Sequence, residues 1–144
     1  REEVRRAREI SPGGTFAHLF ACMIELAAGR PEAALAFARL EPEPMHRLEG
    51  LALAEFACGH RAEADAALEK LEAEFAETAP FKLAHVHAWR GERDQAFAWL
   101  ERAWRYRDPG VCWIPVSVLL RPLRADSRWP ELLRTIGLAD PLRS

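Results

Sequence analysis

The sequence predicts an all-α fold: a right-handed solenoid of antiparallel helical hairpins, closed by a C-terminal helical cap. Two observations predict it. One motif, an apolar helical run followed by a glycine and an alanine-rich run, occurs as LAAGRPEAALAFARL, EFACGHRAEADAALEKL and HAWRGERDQAFAWLERA. In each copy the apolar residues recur at helical spacing on both sides of the glycine. One such hairpin cannot bury its own apolar faces, so the hairpins are expected to stack.

The glycine of each motif predicts a turn between two helices. Gly29, Gly59 and Gly91 are spaced 30 and 32 residues apart, and glycine accepts the left-handed backbone conformation that ends many helices. An alanine follows five residues later, and its small side chain allows a close helix–helix contact. These alanines are Ala34, Ala64 and Ala96, and the apolar residues four positions further on are Ala38, Leu68 and Leu100.

A single domain, residues 1–144, is expected to hold the whole array. Its predicted segments are the end of a preceding repeat (1–12), three repeats (13–44, 45–76 and 77–110) and the cap (111–138). The prolines in LEPEPM, residues 40–45, are expected to shorten the second helix of the first repeat, because proline cannot continue a helix.

The cap is predicted to end in a short helix at about 128–136. Asp126 or Ser127 can cap the start of this helix, and Gly137 can end it. A solenoid needs such a segment to cover its last apolar face. The residues expected to form that cover are Trp129, Leu132 and Leu133, lying over Leu100 and Trp104.

Composition favours an ordinary globular chain. Apolar residues make up 49% and charged residues 29% of the 144 residues, and the formal net charge is −2. Arginines alternate with glutamates in REEVRRARE and LERAWRYRD, which predicts solvated helix faces and not a phosphate-binding surface. No apolar run reaches the ~20 residues that a membrane-spanning helix needs. We therefore expect neither nucleic acid nor a membrane as a partner.

The cysteines favour a reducing compartment. Cys22, Cys58 and Cys112 are odd in number and widely spaced, which argues against a disulfide framework, so a cytoplasmic location is expected. The opening REEVRRAREI does not resemble a signal peptide. Because Arg1 is not a natural start residue, the chain is expected to be a piece of a longer protein.

No cofactor, metal ion or catalytic centre is expected. His18 and Cys22 could share a helix face, but two ligands do not make a zinc site. His85 and His87 point to different sides of a helix. The sequence holds no G-x-S-x-G, glycine-rich phosphate loop or H-E-x-x-H motif. The glutamates are expected at exposed helix positions beside arginines, whereas paired catalytic carboxylates would need burial.

The repeat resembles the tetratricopeptide repeat (TPR) family, whose nominal period is about 34 residues. In that family a glycine ends the first helix, alanines recur along the second, and a proline often closes the repeat. The prolines near that closing position are Pro12, Pro44 and Pro109. The resemblance covers roughly residues 4–110 and is strongest at 50–109. The aromatic residue that the family places in the first helix is replaced here by Glu25, Glu55 and His87.

The tail resembles the closing segment of TPR regions at the C-termini of multidomain bacterial signalling proteins, including nucleotide-cyclase-type and winged-helix regulators. The matching residues are Asp108-Pro109-Gly110, Leu119, Pro122-Leu123-Arg124, Asp126, Arg128, Leu132-Leu133 and Gly137-Leu138. Ser117, Val118 and Arg121 depart from the acidic and proline residues expected there. The resemblance implies a non-catalytic protein–protein interaction domain of a larger regulatory protein. A self-association module that forms a homodimer is the alternative.

The resemblance also implies a binding groove, because TPR arrays bind mostly peptide segments along the first helices of their repeats. Aligning the repeats on their alanines gives the predicted groove residues: Phe16, Leu19, Met23, Leu26, His46, Glu49, Leu53, Phe56, Phe81, His85 and Trp89. This set is mostly apolar, and only Lys82 lies nearby, so a lysine clamp for a terminal carboxylate is not expected. The expected ligand is a protein or peptide, or another domain of the same chain. Phe56 and Trp89 are the expected anchors.

Overall fold

The structure is a computed structural model of the chain and describes residues 17–115 and 117–137. The predicted remnant of a preceding repeat, at 1–12, and Phe16 of the predicted groove lie outside the described residues. The chain divides into two compact units, the first running to Glu74 and the second from Phe75 onward.

The described residues are helical throughout their regular elements, with no strand among them. The helices of the first unit are α1 (Ala17–Ala27), α2 (Pro31–Leu40), α3 (Pro44–Ala57) and α4 (Arg61–Phe75), the last ending at the boundary. The second unit holds α5 (Pro80–Trp89), α6 (Arg93–Arg105), 3₁₀ helices at Pro109–Trp113 and Val118–Leu123, and α7 (Arg128–Thr135). The predicted all-α class is confirmed.

Each predicted glycine turn is present and has the same backbone geometry. Gly29, Gly59 and Gly91 have φ angles of 76°, 82° and 80°, the left-handed region in which glycine carries no side-chain penalty. In every turn the glycine N–H donates to the carbonyl three residues back, and the next N–H donates to the carbonyl five residues back. This is the Schellman pattern, which satisfies carbonyls that a helix end would leave unpaired.

Proline starts three of the helices. Pro31, Pro44 and Pro80 are the first residues of α2, α3 and α5, where the missing N–H costs nothing and the fixed φ suits a helix. The second helix of the first hairpin stops at Leu40, so the shortening predicted from LEPEPM is confirmed.

Close packing of small residues joins the first three helices. Helix α2 packs against both α1 and α3, and the predicted contact residue Ala34 is fully buried. A Cβ atom added at Gly50 would lie 3.0 Å from Ala38 Cβ and 3.7 Å from Cys22 Sγ. The three helices therefore meet where a glycine, an alanine and a cysteine allow their backbones to approach. Ala64 and Ala96, the equivalent alanines of the other hairpins, are also fully buried.

An aspartate and a glycine fix the end of α6 to the start of α5. The Asp108 carboxylate accepts the backbone N–H of Phe81 (3.0 Å) and that of Gly110 (2.8 Å). One of its oxygens thereby satisfies an unpaired donor in the first turn of α5. Gly110 lies so close to Phe81 that an added Cβ would come within 2.3 Å of that ring. The Asp-Pro-Gly segment therefore packs the end of α6 closely against the start of α5 within the second unit.

The final helix confirms its predicted start and end. The Asp126 carboxylate accepts the N–H of Arg128 at 2.9 Å, and Gly137, with a φ of 75°, follows α7. Arg128 fixes α7 to α6 because its guanidinium bonds Asp94 at 2.8 Å and lies 4.5 Å from the centroid of Phe97.

The predicted cover over the end of α6 is wrong in one respect. Trp129, Leu132 and Leu133 are buried, as is Leu100, but Trp104 keeps 44% of its surface exposed. The reason is that the contacts of Arg128 hold α7 at the N-terminal half of α6, at positions 94 and 97, away from position 104.

Candidate functional site

Each glycine turn carries a pair of polar side chains that bridges it. The pairs are Glu25–Arg30, Glu55–His60 and His87–Glu92. The first member lies four residues before the glycine and the second directly after it. Schellman turns commonly place a hydrophobic contact at these two positions. Here a polar contact takes its place in every hairpin.

The carboxylates of the first unit are buried at these turns. Glu25 is 1% exposed and Glu55 is 5% exposed, so the expectation that the glutamates lie at exposed positions is wrong for them. Glu41 and Glu49 are buried as well. Removing a carboxylate from water is costly unless a cation or hydrogen-bond donors compensate it. Arg30 is the cation at Glu25, and Arg39 and His60 are the partners of Glu55.

The sequence carried a signal for these pairs that periodicity alone does not reveal. Residues five apart do not share a face of a continuous helix. Opposite charges at positions i and i+5 within such a helix therefore do not predict a contact. Once a Schellman turn intervenes, the chain folds back and brings the two positions together. Opposite charge across a predicted glycine turn, as in Glu25–Arg30, is therefore the pattern that would have found them.

An open cleft of about 380 Å³ lies beside the Glu55 carboxylate in the first unit. Its lining residues are Arg39, Leu51, Glu55, His60, Glu63 and Ala67, from α2, α3, α4 and the turn before α4. Arg39 Nη2 is 3.6 Å from one oxygen of Glu55, and His60 Nδ1 is 3.1 Å from the other. Both oxygens are thus engaged, and the His60 side chain keeps half of its surface in solvent.

The Glu55–His60 pair has one element of a catalytic arrangement, because a carboxylate at Nδ1 orients an imidazole and leaves its other nitrogen free. Cys58 is the cysteine nearest in the chain. Burial raises the pKa of its thiol, and the charges of Glu32 and Glu55 raise that pKa further. The thiol is therefore held protonated, which is the opposite of what a nucleophilic cysteine requires.

Of the remaining histidines and cysteines, Cys22, His46, His85 and His87 are buried, His18 is partly buried and Cys112 is exposed. Burial raises the pKa of the Cys22 thiol to about 12, and its sulfur lies 3.9 Å from the Gly50 carbonyl oxygen. Within residues 17–115 and 117–137, no three His, Cys, Asp or Glu side chains are grouped so as to hold a metal ion.

The predicted groove residues fall into two groups by exposure. Those that are buried are Leu19, Leu26, His46, Glu49, Leu53, Phe81 and His85. Those that keep part of their surface in solvent are Met23, Phe56 and Trp89. Of this second group, Met23 and Phe56 belong to the first unit and Trp89 to the second. Arg61 lies over the ring of Phe56, at 5.5 Å from its centroid.

His85 has partners inside the second unit. Its Nε2 is 2.9 Å from the hydroxyl oxygen of Ser117, and its ring lies 4.3 Å from the ring centroid of Phe81. Ser117 precedes the second 3₁₀ helix, which packs on α5. Ser117, one of the three tail residues that depart from the expected pattern, thus contacts the histidine that was predicted to face a ligand.

Comparison with known proteins gives no relative, since the chain matches none of the protein-family models, curated proteins or solved structures compared with it. No helix in the part of the chain that the structure describes combines the length and apolar character needed to cross a membrane.

Proposed function

We propose that this chain is a TPR-like, non-catalytic protein–protein interaction domain of a larger cytoplasmic regulatory protein. The observation that carries the proposal is the threefold use of one hairpin design. In every copy a left-handed glycine ends the first helix, and a bridging polar pair spans the turn. Repetition of one hairpin is typical of helical arrays, which stack into right-handed solenoids and present extended binding surfaces.

The chemistry of the cleft supports binding over catalysis. A histidine–carboxylate pair accelerates a reaction only beside a nucleophile or a bound water that it can deprotonate. The thiol of Cys58 is held protonated, and both oxygens of Glu55 are occupied by Arg39 and His60. We therefore assign the pair to the turn, and we propose no metal or cofactor for this domain.

The proposed ligand is a protein or peptide segment, or another domain of the same chain. The proposed anchors are partly exposed side chains on the first helices of the hairpins: Met23 and Phe56 in the first unit and, separately, Trp89 in the second. Aromatic anchors commonly supply most of the energy of an interface. Neither nucleic acid nor a membrane is proposed as a partner of the groove.

Self-association is the second candidate function. In the first unit, Phe20 on α1 and Leu40 at the end of α2 are 54% and 58% exposed. Large apolar side chains at such exposure favour an interface when they belong to one patch, and a second copy of this chain would supply an identical surface.

Light scattering together with screening against an immobilised peptide array tests the two candidates. A monomer that binds peptides, and loses them in Phe56→Ala and Trp89→Ala, would support the groove. A dimer that dissociates in Phe20→Ala/Leu40→Ala would support self-association. Each set of variants is the control for the other, and circular dichroism must show unchanged helicity. A folded monomer that binds no peptide contradicts both self-association and a peptide ligand.

A further inference from the structure

The C-terminal end of α6 carries consecutive exposed aromatic and cationic side chains. Trp104, Arg105, Tyr106 and Arg107 are all exposed, and they are called the 104–107 surface below. The two aromatic residues keep 44% and 51% of their surface in solvent. Arg102 supports this surface from one turn back, since its guanidinium lies 4.5 Å from the centroid of Trp99 and 5.8 Å from that of Tyr106.

Cationic side chains predominate in this segment, which lies between Glu101 and Asp108. Residues 102–107 include three arginines and no acidic residue, although the chain as a whole has a net charge of −2. Among the described residues, neither Arg105 nor Arg107 forms an ion pair, whereas Arg30 and Arg128 do. The carboxylate that follows, Asp108, is directed at the backbone N–H groups of positions 81 and 110.

Arg107 also occupies a backbone conformation that is unfavourable for it. Its φ is +58°, and its N–H and the next one donate to the carbonyls of Trp104 and Ala103. This is the turn made elsewhere by Gly29, Gly59 and Gly91. An L side chain is less stable than glycine in that conformation. The negative end of the α6 dipole favours cations in its last turn. This explains Arg105, which ends the helix, but it does not explain an arginine at position 107, where glycine would be more stable.

We propose that the 104–107 surface binds an acidic peptide segment of a partner protein. Carboxylates of the segment pair with Arg105 and Arg107, and its apolar side chains pack on Trp104 and Tyr106. Unpaired arginines beside exposed aromatic rings are the residue types enriched at interface anchors, and their charge selects a partner of opposite sign. The 104–107 surface contains none of the anchors proposed above, so this inference goes beyond that function.

A short acidic peptide fits this surface better than a nucleic acid. Nucleic-acid affinity comes from many phosphate contacts along an extended basic track, whereas this surface offers a few arginines within one helix end. The net negative charge of the whole chain also opposes a long polyanion. A segment with a few carboxylates and one or two apolar side chains matches the size of the surface.

Fluorescence anisotropy of the 144-residue chain can test this proposal. The probe is a short fluorescein-labelled peptide that alternates glutamate with leucine and phenylalanine. The control probe carries glutamine in place of glutamate. We expect saturable binding of the first probe only, weakening as salt is added. The variant Arg105→Gln/Arg107→Gln should bind about tenfold more weakly, as expected for two exposed ion pairs, and Trp104→Ala should also weaken binding.

Arg134→Gln is the matched control, because it removes an exposed arginine from α7 in the same unit and should leave affinity unchanged. Arg107→Gly separates a binding role from a turn role: it should raise the melting temperature and still weaken binding. Unchanged affinity in Arg107→Gly or in the double arginine variant would overturn the proposal. So would failure of the acidic probe to bind, or tighter binding of labelled oligothymidine than of the peptide. Phe56→Ala serves to show that the groove is not the site measured.

Discussion

The two units use the same hairpin turn but order its polar pair in opposite ways. In the first unit a buried glutamate precedes the glycine, and its partner, Arg30 or His60, follows it. In the second unit His87 precedes the glycine, and Glu92 follows it at 2.9 Å. The backbone hydrogen bonds are the same in both. The left-handed glycine therefore determines the geometry of the turn. The two bridging side chains must complement each other, but either one can precede the glycine.

The order of the pair determines what each unit loses when a partner is removed. A carboxylate at the buried position depends on a cation or on hydrogen-bond donors to compensate its burial. An imidazole at that position can be buried in its neutral form with one hydrogen bond. The first unit is therefore expected to be more sensitive to changes at its turns, and the following predictions test this difference.

The largest effect is expected when a buried charge has no partner. Leu53 on α3 is fully buried, so Leu53→Glu should destabilise the first unit by about 4 kcal/mol. Leu51→Glu is the matched control, since Leu51 lines the cleft that also contains Arg39 and His60, and it should cost much less. Thermal unfolding followed by circular dichroism measures both. If Leu53→Glu melts like the unmodified chain but loses peptide binding, Leu53 belongs to the groove and not to the core.

The space available at a closely packed glycine differs between the two units, and replacing one such glycine by alanine in each unit tests this difference. Gly110→Ala should cost about 3 kcal/mol, because the new Cβ would lie 2.9 Å from Phe81 Cβ and closer to its ring. In the first unit, Gly50→Ala meets Ala38 Cβ at 3.0 Å, and the gain of about 1 kcal/mol in helix propensity offsets part of that cost. Urea unfolding should rank Gly110→Ala as the more damaging. The reverse order would mean that the Asp-Pro-Gly segment or the Phe81 side chain shifts at little cost to accommodate the new Cβ atom.

Removing the second residue of a pair tests the comparison of turns directly. Arg30→Gln leaves the carboxylate of Glu25 buried without its cation, and we expect a loss of about 2 kcal/mol, below the value for fully buried pairs because Arg30 is partly exposed. Glu92→Gln keeps a side chain that can hydrogen-bond the His87 ring, and should cost under about 1 kcal/mol. Equal losses in urea unfolding would show that the order of the pair does not matter.

The sequence predicted the parts of this fold that depend on local backbone chemistry. The left-handed turn at Gly91 and the buried alanine at Ala96 follow from a glycine and a small residue at fixed spacing. The cap of the last helix by Asp126 follows from the same kind of local rule. Each of these needs only neighbours within a few residues, which the sequence displays directly.

The exposure of the groove residues could not be predicted in the same way. Alignment of the repeats places Glu49 and Leu53 on a first helix, but which face of that helix is inward depends on how α1, α2 and α3 pack. Both residues are fully buried. The burial of Glu55 was missed for a related reason, because a glutamate indicates an exposed position unless its cation across the turn is recognised.

A smaller and opposite effect is expected at the turn that lacks glycine. Arg107→Gly should stabilise the second unit by up to about 1 kcal/mol, because it removes a side chain from a left-handed position. Gly91→Ala, at the glycine turn of the same unit, should destabilise by a similar amount. Thermal unfolding of the two variants measures both signs. Destabilisation by Arg107→Gly would mean that the arginine side chain itself holds the turn.

The smallest effect is expected at the exposed cluster that starts α7, and it should depend on pH. Hydrogen bonds from the Arg128 side chain and backbone hold the pKa of the Asp126 carboxyl well below its ordinary value. A lowered pKa in the folded state means stabilisation that is complete above the unfolded value of about 3.9 and is lost as the pH falls further. Asp126→Asn should therefore lower the melting temperature slightly at neutral pH, with a difference that shrinks in acid. Because the cluster is exposed, salt should reduce the difference too. A difference that grows as the pH falls would show that the Asp126–Arg128 contact does not fix this helix.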